Sequence, residues 1–302
     1  MDASGRNLSP EFRRHFIETF GDDAGRWLDT LPNLLEDCTR RWKLRLQPPF
    51  PLSYGYVAPA TRQDGAEVVL KARWPNDEAQ CEIAALRAFA GDAAVRLLDA
   101  DPGGAVMLLE RIAPGTLLKE LPDDREATAI AARIMTALRR PPPRGHAFPT
   151  VRDWWRKAAA DIRARFGGAG PLPGDLFARA ESTFMGADPV GWLLLHGDVH
   201  HENILLDSAR GWLIIDPQGV IGDPAYEAGT FLANHLLHRP DAPDTLAQRL
   251  GPLAEILQID RPRVIEWSLA QCVLSACWTL ESHGQGWERA MTVAQMLADL
   301  SG

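Results

Sequence analysis

The chain has few cysteines, fewer basic than acidic residues, and no long apolar run. Its four cysteines, Cys38, Cys81, Cys272 and Cys277, are scattered without a CxxC pair. That spacing indicates neither a disulfide framework nor a thiolate zinc site. Lys and Arg number 32 against 40 Asp and Glu, a formal charge of −8. This balance argues against a sequence-independent nucleic-acid binder, which needs a basic surface. It suits a cationic small molecule. No apolar run approaches the roughly 20 residues that span a bilayer, so no membrane partner is expected. The polar start, Met1 to Pro10, lacks the apolar core of a secretory signal, and reduced thiols in the cytoplasm are the expectation. Internal repeats and low-complexity tracts are absent.

What is there is ordinary for a globular protein: 302 residues, 46% hydrophobic and 24% charged. Those fractions exclude a disordered tail, a collagen-like repeat and a coiled coil. The length fits two domains or one two-lobed body. Residues 8–47 read as short helices, with Phe12, Phe16 and Phe20 four apart and Trp27, Leu28, Leu31, Leu34 and Leu35 extending an apolar face. Pro32 fits the early part of a third helix. Tyr54 to Ala58, a turn at Asp64-Gly65, and Glu67 to Lys71 predict strand, turn and strand. A helix follows, with Asp77 as N-cap, Gln80 completing a capping box and Gly91 closing it. Val95 to Leu98 and Ala105 to Leu109 read as strands parted by a turn at Asp101-Pro102-Gly103-Gly104, and Ala113-Pro114-Gly115 breaks the pattern. The remainder is mostly helical. One β island interrupts it: Trp192 to Leu195, Ile204 to Leu206 and Leu213 to Ile215.

The densest polar segment lies in that island: His196-Gly197-Asp198-Val199-His200-His201-Glu202-Asn203. Asp198 and Asn203 are five apart, the spacing of base and metal ligand in a kinase catalytic loop. The apolar hairpin from Ile204 to Ile215 returns the chain so that Asp216 can meet the same cation. A carboxylate and an amide oxygen suit the hard-oxygen shell of Mg²⁺. A zinc reading of the histidines would need His196 and His200 on a helix, and Gly197 after a strand favours a tight loop instead. Upstream, Lys71 ends a strand and Glu82 follows on the next helix, an ion pair that would set the lysine against the phosphates of a nucleotide. Glu78, one turn earlier, is an alternative partner. Ser53-Tyr54-Gly55 is the candidate phosphate-covering turn, and backbone groups near Glu110 and Ile112 stand where adenine would be held.

At these residues the sequence resembles the aminoglycoside/hydroxyurea antibiotic resistance kinase family, the group containing streptomycin 6-phosphotransferases. GDDAGRWLDTLPNLLEDCTRRWKL, YVAPATRQDG, VVLKARWPNDEAQCEIAALRAF, AVRLLDADPGGAVMLLERIAPG, LLLHGDVHHENILL, IDPQGVIGDPAYE and CWTLESHG all look like its segments. HGDVHHENIL is shared by many small-molecule kinases; the N-terminal block and the GDPAYE region are more specific. Gln218 stands where the family often carries Lys, Ala84 where relatives are often acidic, and the phosphate-covering turn is poor in glycine.

The resemblance implies an α+β, protein-kinase-like fold of two lobes. A small mixed-sheet lobe (residues 1–111) would precede a larger, mainly helical one (residues 112–302), with ATP bound between them. It implies Mg²⁺-dependent transfer of the γ-phosphoryl group to a hydroxyl. Asp198 would act as base, Asn203 and Asp216 as metal ligands, and Lys71 and Glu82 on the nucleotide. The acceptor would be a cationic aminoglycoside such as streptomycin, whose guanidino groups call for carboxylates and aromatic faces. Asp223, Glu227 and Glu281 are the candidate carboxylates and Trp278 the candidate face. The alternatives are a kinase of hydroxyurea or another metabolite, and a pseudokinase that binds nucleotide without turnover.

Overall fold

A computed structural model of the chain describes residues 5, 8–103, 105–145 and 148–301. Six of the ten polar N-terminal residues and Gly104 of the turn read above lie outside the described residues. The chain divides into two units, Met1–Ala113 and Pro114–Gly302.

In the first unit, α1 (Pro10–Phe20) and α2 (Asp22–Trp42) lie against one face of an antiparallel sheet. The sheet runs β1 (Leu44–Leu46), β2 (Gly55–Arg62), β3 (Glu67–Arg73), β5 (Val106–Glu110) and β4 (Leu97–Asp101), in that spatial order. The period-four aromatics behave as their spacing predicts: Phe12 and Phe16 are buried, and Phe16 stacks on Trp27 at 5.5 Å. They pack with Leu28, Leu31 and Leu35 on alternate sheet residues, Tyr56, Ala58, Leu70 and Ala72. Two local expectations are corrected. A single helix runs through Pro32 rather than restarting there. Its buried stripe outweighs the interrupted turn, a penalty of roughly 3 kcal/mol. The helix α3 (Asp77–Phe89) is capped by Asn76, whose side chain accepts from the Ala79 amide, not by Asp77; Ala90 in a left-handed conformation ends it just before Gly91.

The second unit is mostly helical, with a small β component. Strand β6 (Pro114–Leu117) pairs with β8 (Ile204–Asp207), which pairs with β9 (Gly211–Ile214); β7 (Leu193–Leu195) pairs with β10 (Val220–Gly222). The Ala113-Pro114-Gly115 break is therefore the entry to a strand. Pro114 takes its first position, where a missing amide is tolerated, and the register shifts between Pro114 and Thr116. Around these strands lie α4 (Asp124–Leu138), α5 (Val151–Phe166), α6 (Gly174–Gly186), α7 (Ala228–Ala233), α8 (Ala242–Leu257), α9 (Arg261–His283) and α10 (Glu288–Asp299). Most of α9 is buried from Val264 to Leu280, so it is apolar nearly all round. Arg249 is also buried, and it is satisfied fully. It meets Asp124 at 2.7 Å and the carbonyls of Phe231, Leu232 and Asn234.

All four cysteines are free and buried. Burial pushes Cys272 and Cys277 up to about 12 and Cys38 up to about 11. Among the described residues no helix is long and apolar enough to cross a membrane.

Candidate active site

Strand β7 ends at Leu195, and the next residue fixes the loop that follows. His196 is fully buried. Its Nε2 meets the Ile215 carbonyl at 2.9 Å, and its Nδ1 takes the Asp198 amide at 3.2 Å. Only the neutral ring with hydrogen on Nε2 serves both contacts. Burial supports that form, pushing the imidazole down to about 4. The His196 carbonyl accepts from the amides of Gln218 and Gly219. One residue thus ties the exit of β7 to the segment after β9.

Gly197 needs to be glycine. Its φ is +86°, and a Cβ there would stand 3.1 Å from Val220 and 3.2 Å from Trp154. Its amide donates to Glu227 at 2.7 Å.

Asp198 follows with its side chain one-third exposed and its Oδ2 3.6 Å from His200 Nε2. Burial works against charge on His200, but hydrogen bonding and the charges of Asp198 and Glu202 raise its pKa above the ordinary histidine value. Asn203 donates its Nδ2 to the Asp198 carbonyl at 3.0 Å and lies 3.5 Å from the Asp198 carboxylate. That orientation aims the amide nitrogen at Asp198 and leaves Oδ1 on the opposite edge, where it can face a cation. Ile215 donates its amide to the Asn203 carbonyl at 2.8 Å, which puts Asp216 beside the same loop. Asp216 has a φ of +61°, left-handed for a residue with a Cβ. The β8–β9 hairpin thus brings residues 198, 203 and 216 to one loop cluster.

A carboxylate and an amide oxygen are hard oxygen donors and fit Mg²⁺ chemically. The three histidines of the motif go separate ways. His196 faces Ile215, His200 faces Asp198 and Glu202, and His201 stacks on Phe231 at 4.3 Å with Nδ1 2.6 Å from Asn234.

Two expected substrate carboxylates, Asp223 and Glu227, have partners inside the protein. Glu227 is buried and accepts from the Gly197 and His196 amides, so it braces the loop from behind. Burial is the main reason its pKa rises to about 7. Asp223 is buried too; it caps a short 3-10 turn through the Ala225 amide and pairs with Arg263. A carboxylate inside the apolar run of Ala225 to Phe231 is the sequence signal that would have marked Glu227 as a bonded core acid. Glu281 is exposed. Trp278 packs edge-on to Trp154 at 5.5 Å, and Trp154 in turn borders Gly197.

In the first unit, Lys71 Nζ lies 2.6 Å from Glu82 Oε1, with both side chains buried. Glu78 goes to Arg73 at 3.3 Å, which resolves the choice of lysine partner. Gly55 begins β2 where a Cβ would sit 2.8 Å from the Ala72 carbonyl. Ser53 and Tyr54 form the bend before it, and Tyr54 is half exposed with its ring near His15 and Phe20. The Glu110 amide donates to the Arg96 carbonyl at 3.0 Å, and the Glu110 carboxylate accepts from the Arg96 amide at 2.8 Å. The Glu110 amide and carboxylate are thus both engaged with Arg96. Ile112 is buried just beyond β5.

Three comparisons bear on this arrangement. The sequence model of a family described as aminoglycoside/hydroxyurea antibiotic resistance kinase matches residues 46–283. A streptomycin 6-kinase of Streptomyces glaucescens is 31% identical over 295 residues, 93% of this chain and 94% of the relative. A hydroxyurea phosphotransferase of Kitasatospora aureofaciens is 30% identical, over 94% of this chain and 84% of its own. Among solved structures, aminoglycoside phosphotransferase APH(3'')-Id of Streptomyces rimosus, in complex with ADP and streptomycin, superposes with a TM-score of 0.55. It shares 19% identity and covers 82% of this chain and 98% of its own.

Proposed function

This chain belongs to the aminoglycoside/hydroxyurea antibiotic resistance kinase family, and from that premise we propose how its residues divide the work of phosphoryl transfer. The fold is protein-kinase-like, and the activity is that of a phosphotransferase with a hydroxyl acceptor. The nucleotide is ATP. Asp198 orients the acceptor hydroxyl and takes its proton. The Asn203 Oδ1 and the Asp216 carboxylate would hold Mg²⁺, which would supply charge neutralisation on the phosphate side. Lys71, fixed by Glu82, steadies the α- and β-phosphates, and the turn at Ser53, Tyr54 and Gly55 covers them. The Glu110 carbonyl and Ile112 amide hold adenine. Phosphoryl transfer depends chiefly on position and charge neutralisation, so these few groups suffice. The observation that carries the reading is the Asn203 side chain bonded to Asp198 while its backbone is bonded to Ile215.

The acceptor we propose is an aminoglycoside of the streptomycin class, with the Trp278 edge and Glu281 on the acceptor side. Similarity to two streptomycin 6-kinases at 31% identity supports it. Hydroxyurea is the second reading. The internal roles of Asp223 and Glu227 favour it, since they leave fewer carboxylates to meet a polycation. A pseudokinase is the third reading, and the presence of Asp198, Asn203 and Asp216 together weighs against it. Mg·ATP turnover is to be measured with streptomycin, other aminoglycosides, hydroxyurea and simple sugars. Turnover on streptomycin supports the first reading, turnover on hydroxyurea alone replaces it with the second, and none on any compound leaves a nucleotide-binding protein.

A further inference from the structure

Glu82 serves two cations. Its Oε1 meets Lys71 Nζ at 2.6 Å, and its Oε2 meets Arg73 Nη1 at 2.8 Å. The Glu82 side chain is 1% exposed and that of Arg73 16%. Lys71 and Arg73 are two apart on β3, so their side chains leave the same face of the sheet. Arg73 reaches further with its other nitrogen, 3.3 Å from Glu78 one turn before Glu82 on α3. It therefore spans two carboxylates of one helix and joins that helix to the strand carrying Lys71. Arg73 is also the register partner of Gly55, so it lies directly across the ladder from the turn that covers the phosphates in our reading.

We infer that Arg73 is a positioning residue for nucleotide binding, acting through Glu82, an inference that rests on the phosphotransferase reading. A guanidinium fork can hold one carboxylate oxygen at fixed angle, which a flexible ammonium does less well. With Oε2 held, Oε1 stays directed at Lys71. Sharing the carboxylate has a second effect: Glu82 is not spent on Lys71 alone, and the lysine keeps more of its attraction for phosphate. Without Arg73, the second oxygen of a buried carboxylate loses its donor, and Glu82 turns toward Lys71 with both oxygens.

The test is Mg·ATP affinity by calorimetry, without acceptor, for the wild type, Arg73→Leu, Arg73→Lys, Glu82→Gln and the Arg73→Leu/Glu82→Gln pair. Tm is recorded for each. Arg73→Leu is expected to weaken binding about tenfold, and Arg73→Lys, which keeps a donor without the fork, to recover only part of that loss. The double variant should bind no worse than Glu82→Gln, because residues acting as one unit do not add. If Arg73→Leu does not fold, Arg73→Gln replaces it. Unchanged affinity in Arg73→Leu, or losses that multiply in the double variant, overturns the role of Arg73. A wild type that does not bind Mg·ATP removes the phosphotransferase reading itself, a result distinct from either.

Discussion

Ile215 hands its amide hydrogen to the carbonyl of Asn203, 2.8 Å away. The bond closes the base of the β8–β9 hairpin, so the residue after Ile215 emerges beside the residue before β8. Asp216 and Asn203 are thirteen apart in the chain, yet one backbone contact makes them neighbours. His196 adds a second tie by reaching the Ile215 carbonyl with its ring. The loop is held by its backbone and by buried groups, which leaves Asp198 and the outer edge of Asn203 for chemistry.

Asp198→Asn should lower kcat by about 10²- to 10⁴-fold, the usual contribution of a positioned base. Mg·ATP affinity should stay close to wild type, because the base touches the acceptor rather than the nucleotide. Calorimetry beside a steady-state assay separates the two. A fall in affinity as large as the fall in rate assigns Asp198 to the metal instead.

Asn203→Ala and Asp216→Asn each remove one oxygen from the proposed Mg²⁺ set. The magnesium concentration for half-maximal activity should rise by at least roughly tenfold, the loss that even an outer-shell change brings. Titrating activity against Mg²⁺ at fixed ATP reads it. Equal requirements in variant and wild type would remove these residues from the metal.

Gly197→Ala forces a methyl group into a left-handed backbone already bordered by Val220 and Trp154. The backbone term alone costs about 1–2 kcal/mol. The Tm should fall by several degrees, and kcat should fall with it as the Asp198 backbone shifts. Thermal unfolding and turnover on the same preparation show both; a fully active variant would mean that the loop tolerates displacement.

Glu227→Gln should change how stability depends on pH. Burial holds the folded pKa near 7, above the 4.5 of a free side chain. A raised carboxyl pKa contributes stability that is fully present below pH 4.5 and is lost as pH climbs through about 7. At 1.36 kcal/mol for each pH step, the loss is on the order of 3 kcal/mol. The glutamine keeps an acceptor for the Gly197 amide and cannot ionise. Its stability relative to wild type should therefore improve from pH 5 to pH 8, measured by urea unfolding, and a constant difference would contradict the assignment.

Much of this was legible in the sequence because it is carried by spacing. The five-residue interval from Asp198 to Asn203, the apolar hairpin after it, and the period-four aromatics of α1 each follow from a local geometric rule. The parts that were not legible depend on partners remote in the chain. Asp223 and Glu227 look available to a ligand until Arg263 and the Gly197 amide are found beside them. Pro114 looks like a break because its strand partner, Asp207, lies far downstream. Strand β10 is three residues long, too short for alternation to show. The part played by Arg73 was not legible at all, since nothing in VVLKAR says that Glu82 has a second oxygen to give.

The burial of Cys38, Cys81, Cys272 and Cys277 has a practical side. With their thiols shielded and held in the unreactive protonated form, maleimide reagents should leave the native protein untouched under mild conditions. A cysteine introduced at Val190, which is 84% exposed, would then take a single dye or spin label. The natural chain is in this sense already a blank background for spectroscopy.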